Sequence, residues 1–181
     1  EDQQESMFYL GIAFVVAIVL VYMVMASQFE SLVDPFIIMF TVPLSVIGVF
    51  GFLYLTHTTL SVMALVGLVM LVGIAVNNGI VLVDYVNQLH REGYDLYQAV
   101  EEGGVTRMRP VLMTALTTIL AMVPLAMEFG SGSESWSPLA RAVIGGRTAT
   151  TLLTLIVIPV LYIIFERIAE KVRGFFTRHE A

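Results

Sequence analysis

Charge is absent from five long blocks of this sequence, and that absence constrains the fold more than any other feature. None of the five contains Asp, Glu, Lys, Arg or His: residues 7–26, 35–55, 60–83, 110–127 and 148–165. All nine Lys and Arg and all fifteen Asp and Glu therefore lie in the remainder of the chain. A helix that crosses the hydrocarbon core of a bilayer needs about 20 apolar residues. Each block has or approaches that length.

The composition agrees with a membrane protein and argues against several other classes. Apolar residues make up 57% of the chain and charged residues 13%, whereas a soluble domain carries about 25% charged residues. The net charge of −6 argues against nucleic-acid binding, which needs a basic surface. The absence of Cys excludes disulfides and thiolate metal sites. No soluble-enzyme motif occurs, so we expect neither an enzyme nor a bound cofactor.

These observations predict an all-α fold in which residues 1–181 form a single transmembrane domain. We expect five spans in a helical bundle, at about 7–26, 35–55, 60–84, 110–128 and 146–166. Between the third and fourth spans, Asp95 and Gln98 have the spacing of a helix N-cap and its partner. This pattern predicts a short cytoplasmic interfacial helix at about 95–102, with a frayed polar loop as the alternative. Gly103-Gly104 is expected to end that helix.

Prolines and glycines within the spans predict kinked and closely packed helices. Three prolines lie near the middle of a span, where proline removes a backbone hydrogen bond: Pro43, Pro124 and Pro159. Three glycines recur at six-residue intervals in the third span: Gly67, Gly73 and Gly79. Because small residues let helices approach closely in lipid, the third span is expected to be central. Trp136 suits an interfacial anchor.

Few polar residues lie within the spans. Asn77 and Asn78 lie deep in the third span, where an amide without a partner costs ~2–7 kcal/mol, so they must face protein or water. Two interpretations stay open, an interhelical hydrogen bond that serves packing and a role in a transport path. The threonines of the fourth span can bond their own helix and need no function. Asp84, at the end of the third span, is expected to be a surface carboxylate.

The distribution of Lys and Arg predicts the orientation. Seven of the nine lie on one side of the expected spans, and only Arg141 and Arg147 lie on the other. Because Lys and Arg favour the cytoplasmic side, we expect a periplasmic N-terminus and a cytoplasmic C-terminus. An odd number of spans that begins outside requires a preceding segment to translocate the N-terminus. The chain is therefore expected to be part of a longer protein.

Five ordered motifs carry a resemblance to a known family. They are Gln28 to Ser31 with Asp34-Pro35-Phe36, Val42-Pro43-Leu44 with Ile47-Gly48, Gly73 to Tyr85, Arg107 to Thr114, and Gly145-Gly146 before Ile158 to Tyr162. In order and spacing they resemble the resistance-nodulation-division (RND) exporters, in particular the acriflavine-resistance or hydrophobe/amphiphile branch. Over about residues 7–167 the chain looks like the last five of the twelve spans of such a pump.

The resemblance implies a proton-driven antiporter of the bacterial inner membrane that exports drugs or other amphiphilic compounds. The implied partners are the N-terminal half of the same transporter, further copies in a homotrimer, a periplasmic adaptor, an outer-membrane channel and membrane lipid. In that family, two Asp of the N-terminal half carry the protons. The resemblance implies proton-relay partners at Asn77, Arg107 and Thr114, to which we add the second deep amide, Asn78. Many multidrug members have Lys where this chain has Asn77, so Asn77 is expected to act as a neutral hydrogen-bond partner.

The alternative function is a structural or assembly module of the same superfamily, of the protein-export accessory type. In that case the Asn pair would serve packing alone, without drug transport. In the pumps that this chain resembles, the substrate is chosen largely in periplasmic loops, so the sequence does not identify the substrate.

The predicted topology can be tested with single cysteines, since the chain has none of its own. A membrane-impermeant maleimide added to intact cells from which the outer membrane has been removed should label a cysteine at Ser133. A cysteine at Gln98 should react only after permeabilisation, because the two positions lie on opposite sides. Labelling of both positions from one side would contradict the topology.

Overall fold

The structure, a computed structural model, describes residues 2–29 and 31–177, with the side chains of residues 4–29 and 31–168. The described chain forms a bundle of α-helices: α1 (Asp2–Phe29), α2 (Val33–Met39), α3 (Thr41–Leu55), α4 (Val62–Arg91), α5 (Leu96–Ala126) and α6 (Ser137–Thr177). A short 3-10 helix, Ser133–Ser135, precedes α6. No strand occurs in these described ranges, and the predicted all-α fold is confirmed.

Five helical segments of the described chain are long and apolar enough to cross a membrane: Gln4–Phe29, Val33–Leu55, Val62–Arg91, Leu96–Ala126 and Ser137–Ile168. The five predicted spans are therefore confirmed, with α2 and α3 together forming the second. The observed helices extend beyond the charge-free blocks, because a charged side chain does not end a helix when it is exposed or, like Arg147, buried among neighbouring helices. The fifth, for example, begins at Ser137, well before the predicted start at 146.

The helix predicted at 95–102 is confirmed from Leu96 onward, and the alternative of a frayed loop is wrong. The prediction that this helix is short and separate from the fourth span is also wrong, because α5 runs unbroken from Leu96 to Ala126. Asp95 lies at the N-cap position, but its side chain makes no capping hydrogen bond. Gly103-Gly104 does not end the helix. A Cβ atom at Gly103 would lie 2.6 Å from Cγ2 of Val86 on α4, so glycine permits close packing here. That packing offsets the ~1 kcal/mol by which glycine disfavours a helix.

The second span is broken where its proline predicts. Phe40 separates α2 from α3, and Pro43 has no N–H to donate to the carbonyl of Met39, four residues earlier. At the break itself, the Phe40 N–H donates to the Ile37 carbonyl, three residues earlier, at 3.2 Å. Pro124 and Pro159 lie inside the continuous helices α5 and α6. Only Pro43, among the three predicted positions, coincides with a helix break.

The third span, α4, is central, as its glycines predict. It packs against α1, α2, α3, α5 and α6. Half of its most apolar segment is buried, compared with none of that of α1 and 6% of that of α5. Gly67 and Gly79 lie at close contacts with α6 and α2, whereas a Cβ at Gly73 would meet open space. The outer faces of α1 and α5 are thus open in this chain.

Helices α3 and α6 approach each other through glycines, a contact that we call the glycine seam (Gly48, Gly145 and Gly146). A Cβ at Gly48 would lie 2.4 Å from Cβ of Ala149 and 3.0 Å from the Gly145 carbonyl oxygen. Beside the seam, the buried hydroxyls of Ser45 and Thr150 are 2.9 Å apart and hydrogen-bonded. Small residues of this kind allow backbones to pack closely in lipid.

The connection between α5 and α6 turns on two glycines with positive φ, Gly130 and Gly132. Trp136 follows it and is half-exposed, in keeping with an interfacial anchor. Ser133, however, is buried, and its hydroxyl donates to the Gly130 carbonyl at 2.7 Å. The exposed Ser135 is therefore the better position for the labelling experiment, and the orientation of the termini stays a prediction.

The glycine seam can be tested with two alanine substitutions on the same helix. Gly48→Ala should destabilise the full-length protein by about 1–3 kcal/mol, since overpacking forces the two helices apart. Gly51→Ala is the matched control, because a Cβ there would meet nothing within 4 Å and alanine favours the helix by up to ~1 kcal/mol. Thermal unfolding of the purified protein measures both. Equal melting temperatures for the two variants would show that the seam is not tightly packed.

Candidate functional site

The four residues of the predicted relay lie on two antiparallel neighbours, α4 and α5. Val86 of α4 contacts Gly103 of α5, and this contact fixes the register. Asn78 lies eight residues before Val86, and Val111 lies eight residues after Gly103. Because the helices are antiparallel and rise ~1.5 Å per residue, Asn78 and Val111 lie at about the same level of the bundle. Thr114 follows one turn later. The structure thus brings the Asn pair and Thr114 to neighbouring levels, although no hydrogen bond joins them within the described side chains.

Arg107 is held by an aromatic ring. Its guanidinium carbon lies 4.8 Å from the centroid of the Tyr85 ring, a geometry in which the ring face attracts a cation. Its Nε is buried and has no partner among the described residues. The predicted fourth span, from about 110, left Arg107 outside it. In the structure Arg107 lies within α5. It is seven residues from Thr114 and hence two turns, or about 10 Å, away on the same face.

Asn77 lines a groove between α1 and α4. The groove has a volume of about 320 Å³ and is lined by apolar side chains of both helices, with Gln28 of α1 as its other polar member. Asn77 is exposed and Asn78 is half-buried. Asp84, two turns further along α4, is exposed as predicted. Asn77 and Asp84 therefore give the open face of α4 a polar character.

Sequence reasoning missed Arg147, the largest fully buried side chain of the described residues. The predicted orientation counts it with Arg141 on the periplasmic side, at the very start of the predicted span 146–166. It lies instead well inside α6, ten residues after Ser137, and is 1% exposed. Its Nη2 donates to the Thr114 hydroxyl at 3.1 Å. That hydroxyl donates in turn to the Val111 carbonyl at 3.0 Å. Thr114 thus joins the predicted site to a buried cation.

A charge-free block cannot contain Arg147, since any charged residue ends such a block, so this criterion does not indicate an arginine inside a span. One signal could have found it. Ser137-Pro138 is a typical helix start, with a capping residue followed by a proline that has no N–H to lose. A helix that begins there carries Arg147 into the span.

Two threonines extend the buried polar surface of α6. Thr151 and Thr154 lie four and seven residues after Arg147, on the same face, and each is 4% exposed. Their hydroxyls have no partner among the described residues, nor do Nε and Nη1 of Arg147. We call these three residues the α6 stripe. The exposed threonines of α5 behave as predicted, because Thr117 and Thr118 donate to carbonyls one turn earlier.

A second polar cluster joins three helices near the other end of the bundle. The Asn87 amide of α4 donates to the Asp34 carboxylate of α2 at 2.9 Å. The Tyr162 hydroxyl of α6 donates to the Asn87 carbonyl oxygen. The sequence does not predict this cluster, because its members come from three different spans and share no sequence pattern.

Arg141 forms a clasp at the end of the bundle where α5 ends and α6 begins. It donates to the Thr58 hydroxyl at 2.9 Å and to the Ala126 carbonyl, and it forms a salt bridge with Glu128 at 2.9 Å. This arginine, unlike Arg147, has an acidic partner among the described residues. It lies at the end of the bundle that the predicted topology makes periplasmic.

A bundle of five candidate spans with amides, threonines and a buried arginine inside is typical of polytopic membrane transport proteins, in which intramembrane polar residues mark function. The comparison with known families agrees. Residues 1–166 match the model of the AcrB/AcrD/AcrF family. The chain therefore belongs to this family of RND permeases.

Two curated relatives illustrate the match. The chain is 42% identical over 174 residues to the swarming motility protein SwrC of Bacillus subtilis. The matched region covers 96% of this chain and 16% of SwrC. It is 39% identical over 162 residues to the cobalt-zinc-cadmium resistance protein CzcA of Cupriavidus metallidurans, which covers 90% of this chain and 15% of CzcA. The chain thus spans about a sixth of the length of these relatives.

Solved structures show the same fold. Two crystal forms of a heavy metal efflux pump each match with a TM-score of 0.78 and 34% identity. The match covers 87% of this chain in one form and 91% in the other, and 16% of the pump in both. These comparisons confirm the RND resemblance at the level of the family, whereas the acriflavine-resistance branch stays a prediction.

The three-helix cluster predicts a specific loss of stability. Asn87→Leu should destabilise the full-length protein by about 1–3 kcal/mol, because it leaves the Asp34 carboxylate and the Tyr162 hydroxyl without their partner. Gln88→Leu is the matched control, since Gln88 is exposed and its side chain bonds only Glu92, the residue that caps the end of the same helix. Denaturant unfolding in detergent compares the two variants. Similar losses would mean that the cluster does not hold the helices together.

Proposed function

We propose that this chain is the C-terminal five-helix part of the membrane domain of a proton-driven exporter of drugs or other amphiphilic compounds. The observation that carries the proposal is the position of Thr114. It lies exposed on α5, at the level of the Asn pair of α4, and its hydroxyl accepts a hydrogen bond from the buried Arg147. Exposed polar groups of α4 and α5, Asn77 and Thr114, thus lie at about one level of the bundle.

Packing alone accounts poorly for this arrangement. Interhelical hydrogen bonds in membrane proteins contribute on average only ~0.6 kcal/mol, and apolar residues would pack these helices without the desolvation penalty of a buried cation. A structural or assembly module, the alternative, has no use for polar groups on an uncovered face. A relay does, because protons must reach groups on another part of the transporter.

The rest of the transporter supplies what this chain lacks. Since the relatives are about six times longer, the acidic pair implied by the RND resemblance would lie in the N-terminal half. We further propose a homotrimer in the bacterial inner membrane, with a periplasmic N-terminus for this chain, a periplasmic adaptor and an outer-membrane channel. CzcA and the heavy metal efflux pump structures make metal cations the second candidate substrate.

The substrate class can be tested with the full-length transporter in proteoliposomes under an imposed pH gradient. We expect transport of ethidium that stops when a protonophore collapses the gradient. Proton-coupled transport of Zn²⁺ or Co²⁺ without ethidium transport would replace amphiphiles by metal cations. Absence of any gradient-dependent transport, with intact trimers, would favour the assembly module.

The relay assignment predicts the effect of three substitutions. In the full-length transporter, Asn77→Leu, Arg107→Ala and Thr114→Val should each lower export about tenfold or more, equivalent to ~1.4 kcal/mol in the barrier. Each removes a polar group beside the proton path and leaves the helices packed. Export assays and quantification of folded trimer by size-exclusion chromatography measure the two effects separately.

Thr117→Val is the matched control for Thr114→Val. Thr117 is exposed on the same helix, and its hydroxyl bonds only the Met113 carbonyl, so export should be unchanged. If export by the three variants falls only in proportion to the amount of trimer, the residues serve packing. If export survives all three substitutions at normal protein levels, the relay assignment is wrong.

A further inference from the structure

The buried guanidinium of Arg147 has more hydrogen-bond donors than this chain satisfies. An arginine carries five N–H donors and no acceptor. Arg147 is 1% exposed, and its Nη2 bonds Thr114, while Nε and Nη1 have no partner in the described part of the chain. A buried cation that lacks an anion is strongly unfavourable. The arrangement therefore calls for an acceptor with negative charge.

The described residues nearest to Arg147 provide no such charge. On α6, the closest ionisable side chain is Arg141, six residues earlier, and its own partner is Glu128. On α5, the closest are Arg109 and Arg107, five and seven residues before Thr114. The ionisable side chains closest to Arg147 along these two helices are therefore themselves cations.

The other packed helices do not supply an anion either. Helix α3 contains no acidic residue. On α4, Leu71 contacts Gly146, and the first acid, Asp84, is thirteen residues further, which is about 19 Å at 1.5 Å per residue. Asp34 of α2 lies near Tyr162, fifteen residues along α6 from Arg147 and hence about 22 Å away.

The depth of Arg147 identifies the kind of anion. Ten residues separate it from Ser137, the first residue of α6, so it lies about 15 Å along the span. Counted from that end of α6, this is about half the ~30 Å thickness of a hydrocarbon core, too deep for lipid phosphates at the interface to reach. A side-chain carboxylate carried on another helix does reach this depth, and it matches the planar fork of a guanidinium.

Thr114 shows from which side that carboxylate comes. Its hydroxyl proton is committed to the Val111 carbonyl, so its oxygen accepts from Arg147. Thr114 is also exposed on α5, a helix with only 6% of its most apolar segment buried. The guanidinium thus extends from the interior towards a surface that the remaining five sixths of a protein of the relatives' length can cover.

We propose that Arg147, oriented by Thr114, is the cation of an intramembrane carboxylate site whose Asp or Glu is carried by a part of the transporter outside this chain. The proposal rests on the proposed function only in placing the chain within a longer transporter. The unpartnered hydroxyl of Thr151, one turn along the α6 stripe, lines the site further. A carboxylate beside Arg147 stays ionised until it takes up a proton, which breaks the ion pair. The site therefore responds to protons.

The test uses the purified full-length transporter and its thermal unfolding at pH 5.5 and pH 8. Arg147→Met should lower the melting temperature more at pH 8 than at pH 5.5, because the carboxylate is an unpaired anion at high pH and takes up a proton at low pH. Loss of a neighbouring cation raises a carboxylate pKa by about 1–3 units. Arg147→Lys retains the charge and should reduce the pH dependence of the loss.

Arg141→Met is the matched control, since it removes a cation from the same helix at a half-exposed salt bridge. Its loss in melting temperature should be about the same at both pH values. Equal losses at both pH values for Arg147→Met would overturn the proposal, because a cavity without an unpaired anion has no pH dependence. Arg147→Lys behaving like Arg147→Met at pH 8 would overturn it too.

Export assays separate this proposal from the proposed function. If the wild type exports with proton coupling, Arg147→Met should shift the pH profile of export upward by about 1–3 units. A wild type without export but with the pH-dependent loss of stability would retain the carboxylate site and reject the exporter. Proton-coupled export by the wild type, with equal losses of stability for Arg147→Met at both pH values, would retain the exporter and reject the carboxylate site.

Discussion

The close approach of α6 to α3 and α4 is the contact on which the rest of the bundle depends. Gly145 and Gly146 have no room for a Cβ, since that of Gly146 would lie 1.9 Å from a Leu71 methyl group. Arg147 follows them directly. Because the glycines hold α6 against its neighbours, the next residue cannot reach solvent, and its side chain extends along the α5 side to Thr114. The packing of small residues thus determines where the cation lies.

Charge-free blocks predicted the number, order and approximate position of the five spans because the bilayer sets the same requirement on every one. They could not predict the helix ends. Helices α5 and α6 begin before their charge-free blocks and include charged residues such as Glu101 and Arg141. Helix α5 continues through Gly103-Gly104 because Gly103 packs against α4. Local propensity favoured a stop there, and a tertiary contact that no local pattern shows made the helix continue.

The site was predicted in part. Family resemblance indicated Asn77, Arg107 and Thr114, but the level at which they lie depends on the register of α4 and α5, which the contact of Val86 with Gly103 fixes. Arg147 and the cluster around Asn87 join residues 33 and 75 positions apart. Such pairs follow from how helices rotate about their axes in the bundle, and a single sequence does not determine that rotation.

The break at Phe40 gives the second span an unusual mechanical character. On the N-terminal side of the break, Asp34 of α2 is hydrogen-bonded to Asn87 of α4, which is bonded in turn to Tyr162 of α6. On the C-terminal side, α3 packs closely against α6 at Gly48. Because Pro43 has no N–H, this point lacks one backbone hydrogen bond that would otherwise stiffen it. The two helices of this span are held by separate contacts. A shift of α6 relative to α4 would therefore change the angle between α2 and α3 rather than move the whole span.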